Sequence, residues 1–182
     1  MEAVFFTLIG AALFSQSWYV LGMYSEGRTM GVFVGGLGFL SLGAITLAPM
    51  LLTGEGPGAE LIPETTIMKT LIALWALYTI GIAAQGIWDL DERAIGFYSV
   101  AVSVATLLSF MYYAVELEST YSVPSWLAIS GASLLLTIIS GLTFFYLAFN
   151  FKILRLVTGW FLLLGGGVIS AIGLCILTTV IV

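Results

Sequence analysis

Six runs of roughly 20 or more predominantly apolar residues divide this sequence, each bounded by charge, Gly or Pro. They cover residues 4–23, 30–52, 67–87, 95–115, 123–149 and 157–182. Wound as an α-helix, a run of that length matches the hydrocarbon thickness of a bilayer, and it is too long for a barrel strand. Of the 182 residues, 60% are apolar and only 8% are charged, against roughly 25% charged in an average soluble domain. Such a chain cannot cover a water-facing surface, so a soluble enzyme, a nucleic-acid binder and a disordered tail are excluded. The expected fold class is an all-α membrane protein: a single six-transmembrane-helix bundle over residues 1–182, with 53–66 its one longer connection. The fifth run is long enough to need a tilt or a kink. The opening Met1-Glu2-Ala3-Val4 lacks the positive n-region of a secretory signal, and no A-x-A-like site closes the first run. That run is therefore expected to be a retained helix.

Basic residues set the expected orientation. Arg28, Arg93, Lys152 and Arg155 fall in the connections after the first, third and fifth runs, and Lys69 alone falls on the opposite side. Four against one places those connections in the cytoplasm and both termini outside, on the periplasmic or extracellular face of the cytoplasmic (inner) membrane. Glu2, Glu55, Glu60, Glu64, Glu116 and Glu118 then face outward, and with Lys69 they give that face a charge of −5 while the inner face balances. This acidic face is either plain solvated surface or a mouth that concentrates cations. No basic patch for nucleic acid or anionic headgroups exists. The two three-helix halves have opposite topology, as an inverted repeat requires. The glycine-rich stretches of the second run (Gly31, Gly35, Gly36, Gly38, Gly43) and the sixth (Gly165, Gly166, Gly167, Gly173) do not fall at equivalent places in those halves.

The sequence has no histidine and one cysteine, Cys175. Histidine-ligated haem, the common zinc sites and intrachain disulfides are thereby removed, and no cofactor or metal is expected. No Asp, Glu, Lys or Arg lies deep in a run. Coupled transporters need an ionisable group near the midplane, so a passive pore or a structural subunit is expected rather than a pump. No nucleophile or acid–base cluster points to an enzyme. Neutral polar residues remain: Ser15, Gln16, Ser17 and Trp18 in the first run, Tyr78, Thr79, Gln85 and Trp88 in or just after the third, and a series in the fifth. Ser130, Ser133, Thr137 and Ser140 recur at three and four residues, which puts them on one stripe of a helix beside Gly141 and Thr143. Their hydroxyls either bond back to their own helix and glue helices together, or line a narrow polar path. A hydroxyl both donates and accepts, which suits an amide solute. Gln85 is either paired inside the bundle or pore-lining. Trp88 reads as an interfacial anchor, and Gly31 with Gly35 as a close helix contact.

Several stretches together resemble the short-chain amide and urea channel family (AmiS/UreI). Gly10-Ala-Ala-Leu-Phe and Leu21-Gly22 are followed by a short loop with Arg28, then by Val32-Phe33-Val34-Gly35-Gly36-Leu37, which is close to that family's N-F-F/L-V-G-G-L run. Ala83-Ala84-Gln85-Gly86-Ile87-Trp88-Asp89 and Ile95-Gly96-Phe97-Tyr98-Ser99-Val100 are similar to its A-A/I-N…D…L-G-W-F/Y-S-L pattern. Gly166-Gly167-Val168-Ile169-Ser170-Ala171 is similar to its E-G-V/I-I/L-T-A. The resemblance implies six helices with both termini outside and a homo-oligomeric ring, typically a hexamer, with one pore per protomer. It implies passive flux of urea or short aliphatic amides. The implied pore-lining positions are Glu2, Phe6 and Leu13 on the first helix, Leu77, Gly81 and Gln85 on the third, Leu134, Thr137 and Gly141 on the fifth, and Gly166 on the sixth.

The chain departs from that pattern where bulk matters. Gly81 stands where the family has Tyr or Trp, and Thr137 and Gly141 stand where it has Trp. Gly166 replaces a Glu and Gln85 an Asn. Two lost rings would widen a pore unless Phe144, Phe145 or Tyr146, within two turns of Gly141, close it. Two functions follow as expectations: a passive channel for small neutral solutes, or a non-transporting membrane subunit that scaffolds or regulates a larger complex.

Overall fold

A computed structural model describes residues 2–23, 26–52, 63–116, 123–149 and 151–178, and the side chains of all of these but 2, 47–52, 63–65, 116 and 152. Six helices account for almost all of them: α1 Glu2–Leu21, α2 Gly27–Leu52, α3 Pro63–Trp88, α4 Glu92–Glu116, α5 Val123–Phe149 and α6 Lys152–Leu177. Each is long and apolar enough to cross a bilayer, and no strand occurs among the described residues. The chain is a multi-pass helical membrane protein.

Four helices begin well upstream of their apolar runs. α2 takes in Gly27-Arg28-Thr29, α3 starts at Pro63, α4 takes in Glu92-Arg93-Ala94, and α6 takes in residues from Lys152 onward. Their first turns are polar but helix-compatible, and proline suits a first helical position because its missing N–H would be unsatisfied there anyway. α1 stops at a backbone reversal. Gly22 has φ of 74°, its N–H donates to the Tyr19 carbonyl at 3.0 Å, and the Met23 N–H donates to the Trp18 carbonyl at 2.9 Å. This double bond pattern needs a left-handed residue, which glycine adopts without a Cβ clash. Asp89, just after α3, is also left-handed, with φ of 52°.

The helices form a closed ring in chain order, with α6 returning to α1. Packing around it alternates. The extensive contacts are α6–α1, α2–α3 and α4–α5, and the looser ones are α1–α2, α3–α4 and α5–α6. Glycine makes the tight contacts tight. A Cβ on Gly166 would stand 2.7 Å from the backbone nitrogen of Phe14 and 2.9 Å from the Gly10 carbonyl oxygen. Backbones in contact at that range leave no space for any side chain, as small-residue helix pairs in membranes require. Gly31 and Gly86 play this part between α2 and α3, and Gly96 against Ala148 between α4 and α5.

Candidate functional site

The centre of the ring is supplied by α1, α3 and α5, which run in the same direction as alternate helices of the ring. Toward their beginnings the facing side chains are apolar. Phe5, Phe6, Ile9, Leu13, Leu71, Trp75, Ala132 and Leu136 are all at most 2% exposed. Trp75 satisfies its ring N–H by donating to Thr106 Oγ1 on α4 at 3.2 Å.

One turn on from Trp75 the interior becomes polar. Gln16 of α1 and Tyr78 of α3, 62 residues apart, face each other: Gln16 Nε2 donates to the Tyr78 hydroxyl at 3.2 Å, and Gln16 Oε1 lies 3.4 Å from it. Tyr78 also stands within hydrogen-bonding reach of Thr143 on α5. Thr143 spends its own proton on the Ile139 carbonyl at 2.8 Å, which leaves its oxygen as an acceptor. Three helices are thus tied by one neutral cluster, buried to 4% exposure or less. The Tyr78 ring meets Trp75 edge-on, with centroids 5.3 Å apart at 74°. Every described charged side chain lies in a connection or in the first two turns of a helix.

The α5 stripe is internally satisfied. Ser130, Ser133, Thr137 and Ser140 each donate to the carbonyl four residues back, at 2.7, 3.0, 3.0 and 2.8 Å. This geometry favours the packing reading of the stripe over the polar-path reading.

The expected pore positions separate into groups. Phe6 and Leu13 lie on the buried inner face of α1. Gln85 is buried and donates to Glu92 at 2.8 Å. Gly166 is sealed against the α1 backbone. Gly81 and Gly141 both look toward α4 but at different levels: a Cβ on Gly81 would meet Ile95 at 3.7 Å and one on Gly141 would meet Ser103 at 3.6 Å. Ile95 and Ser103 are about 12 Å apart along their helix, so the two glycines share no common level. Thr137 is half-buried on the same side, its carbonyl accepting from Ser103 at 3.2 Å. Leu77 and Leu134 turn outward, 54% and 40% exposed. Leu77 and Gly81 come together on the outside, in an open groove of about 320 Å³ with Tyr78, Ala94, Ile95 and Tyr98. The side chain of Glu2 lies outside the described residues, as do Glu55, Glu60, Glu118 and the side chains of Glu64, Glu116 and Lys152.

Of the three aromatics expected to offset the missing rings, Phe144 and Phe145 join an outer cluster with Phe97 and Phe149. Tyr146 is instead half-buried against the apolar core. The Gln16–Tyr78–Thr143 cluster is the feature that sequence reasoning does not assemble. Each member is visible as a neutral polar residue within a span, but the partnership across three helices leaves no periodic trace. No family model, curated protein or solved structure matches the chain.

Proposed function

We propose that this protein is a passive channel for small neutral solutes of the urea and short-chain amide class. The observation that carries the proposal is the buried Gln16–Tyr78–Thr143 cluster at the centre of a closed helical ring, with charge held at the helix ends. Neutral donors and acceptors offer a desolvated amide replacement hydrogen bonds, while the surrounding low dielectric rejects ions. The protein has no catalytic role in this reading. It sits in the cytoplasmic membrane with both termini outside, and its three-helix halves are inverted with respect to each other. The outer face of α2 supports association into a ring of copies: a Cβ on Gly36 or Gly43 would meet nothing within 4 Å, and these glycines are flanked by the exposed Phe33, Phe39 and Leu40.

Stopped-flow light scattering on proteoliposomes tests the flux. Urea and acetamide should equilibrate faster than in protein-free vesicles, and equal rates would refute the channel. Cysteines engineered within 53–66 and 152–155 test the topology. The first set should label from outside and the second should not; the reverse pattern overturns the orientation.

A second reading, the non-transporting subunit, draws on the complete burial of Phe6, Leu13 and Trp75, which fill the ring between the polar cluster and the helix beginnings. A stable heterologous partner recovered on mild detergent extraction, together with absent flux, would establish it instead.

A further inference from the structure

The junction between α1 and α2, one of the looser contacts of the ring, leaves an open groove of about 530 Å³ where α1 stops and α2 starts. Phe14 and Trp18 of α1 and Met30 and Phe33 of α2 line it, together with Glu26, which immediately precedes α2. Phe14 lies seven residues before the end of α1 at Leu21, and Phe33 lies seven residues after Glu26. Both are therefore about 10 Å in from the helix ends. The groove runs along the two helices from the membrane surface inward, charged at its mouth and apolar at depth. Phe14, Trp18 and Phe33 are 39%, 42% and 65% exposed, while Met30 is buried. The Phe14 and Trp18 rings meet edge-on, with centroids 6.1 Å apart. Among the described residues nothing hydrogen-bonds or ion-pairs with the Glu26 carboxylate, and nothing accepts from the Trp18 ring N–H. No basic side chain lines the groove.

A carboxylate only accepts hydrogen bonds and an indole only donates one. Beside hydrocarbon the lowered dielectric strengthens the pull of that carboxylate on a cation. A phospholipid whose headgroup carries both an ammonium and a phosphate supplies the cation and an acceptor on one frame, and its acyl chain matches the apolar depth of the groove. A primary ammonium offers three N–H donors. A trimethylammonium can lie against the rings but donates nothing. A headgroup with a net negative charge sets its phosphate against Glu26 without a cation between them. We infer that the groove is a binding site for one phospholipid with a primary ammonium headgroup. The ammonium sits on Glu26, the phosphate accepts from Trp18, and an acyl chain lies along Phe14, Met30 and Phe33. In the orientation proposed above, the lipid comes from the cytoplasmic leaflet. Of the α2 residues named above for association of copies, only Phe33 is shared with the groove. The inference does not depend on the channel reading.

The test uses the full chain, delipidated in detergent and titrated with phosphatidylethanolamine, phosphatidylcholine and phosphatidylglycerol of identical acyl chains, with bound lipid counted by native mass spectrometry. One phosphatidylethanolamine should be held per copy. Loss of one charge-assisted hydrogen bond is worth about a tenfold change, so the other two lipids should bind more weakly by about that factor. Glu26→Gln should weaken phosphatidylethanolamine by the same factor and erase its advantage over phosphatidylglycerol. Glu26→Lys should invert the order and favour phosphatidylglycerol. Glu26 is exposed in a connection, so both variants should fold, and an unchanged unfolding temperature checks this. Equal binding of phosphatidylethanolamine and phosphatidylglycerol by the wild type overturns the site and leaves a nonspecific lipid annulus. Phosphatidylcholine bound as tightly as phosphatidylethanolamine, or an unaltered lipid preference in both Glu26 variants, overturns it as well.

Discussion

Along α1, α3 and α5, the early turns meet through Phe6, Leu13, Leu71, Trp75 and Leu136, and the later turns meet through Gln16, Tyr78 and Thr143. Both regions are buried, yet they are held by different forces. In a bilayer, lipid tails are as apolar as leucine, so burial of carbon supplies little drive for helices to associate. The apolar region therefore depends on shape: its side chains must fill space, and any hollow forfeits dispersion contacts. The polar region depends on direction, since each donor must find its acceptor across a helix boundary. The first kind of core resists substitution by volume, and the second by chemistry. Only the second offers a passing solute anything to bind.

The largest expected effect comes from hollowing the apolar region. Trp75→Ala removes the largest buried ring and should cost about 3–5 kcal/mol, read as a lowered unfolding temperature in detergent. It should also raise urea flux if the apolar region is what restricts passage; a lower flux in folded protein would move the restriction elsewhere. Tyr78→Phe keeps the volume and deletes one hydroxyl. It should cost only about 1 kcal/mol yet slow urea several-fold, and a variant with wild-type flux would separate the polar cluster from transport. Gly141→Ala tests a position outside both regions. A Cβ there makes ordinary contact with Ser103 at 3.6 Å, and alanine suits a helix interior better than glycine by up to about 1 kcal/mol, so the protein should become slightly more stable. A marked loss would mean that α4 and α5 approach more closely than this distance allows. Smallest of all should be the response to pH. The sequence has no histidine, the side chain whose ordinary pKa falls between about 5 and 8. Urea flux should then differ by less than about twofold between pH 6 and 8, and a steep switch would require a strongly perturbed group in the polar region.

The helices are legible in the sequence because their signal is local. Length and apolarity mark a span whatever packs against it, and only polar first turns such as Gly27-Arg28-Thr29 extend a helix past its run. The site is less legible. The α5 stripe is visible in its spacing, but spacing says nothing about where a hydroxyl proton goes, and four of these hydroxyls donate to their own helix. Leu77 and Leu134 enter the pore only by resemblance to a pattern, and their helices turn them outward. Gln85 can either pair or line a pore as far as sequence goes, and its partner Glu92 lies just across the Asp89 turn, only seven residues on. Gln16 and Tyr78 are each recognisable as costly in lipid, but which residue relieves that cost is settled only when two distant helices meet.

The contact between α1 and α6 also bears on how the protein is made. Ser170 donates to the Thr7 carbonyl across 163 residues of sequence, and the glycine faces beside that bond pair the first helix with the last. At a synthesis rate of about 5–20 residues per second, α1 waits about 8–30 s for its closest partner. During that interval its glycine face stands open within the membrane, and the ring stays an unclosed arc. A chain cut short before α6 should leave α1 without its seal, making the nascent protein a natural client for membrane-embedded chaperones and intramembrane quality control until the final helix arrives.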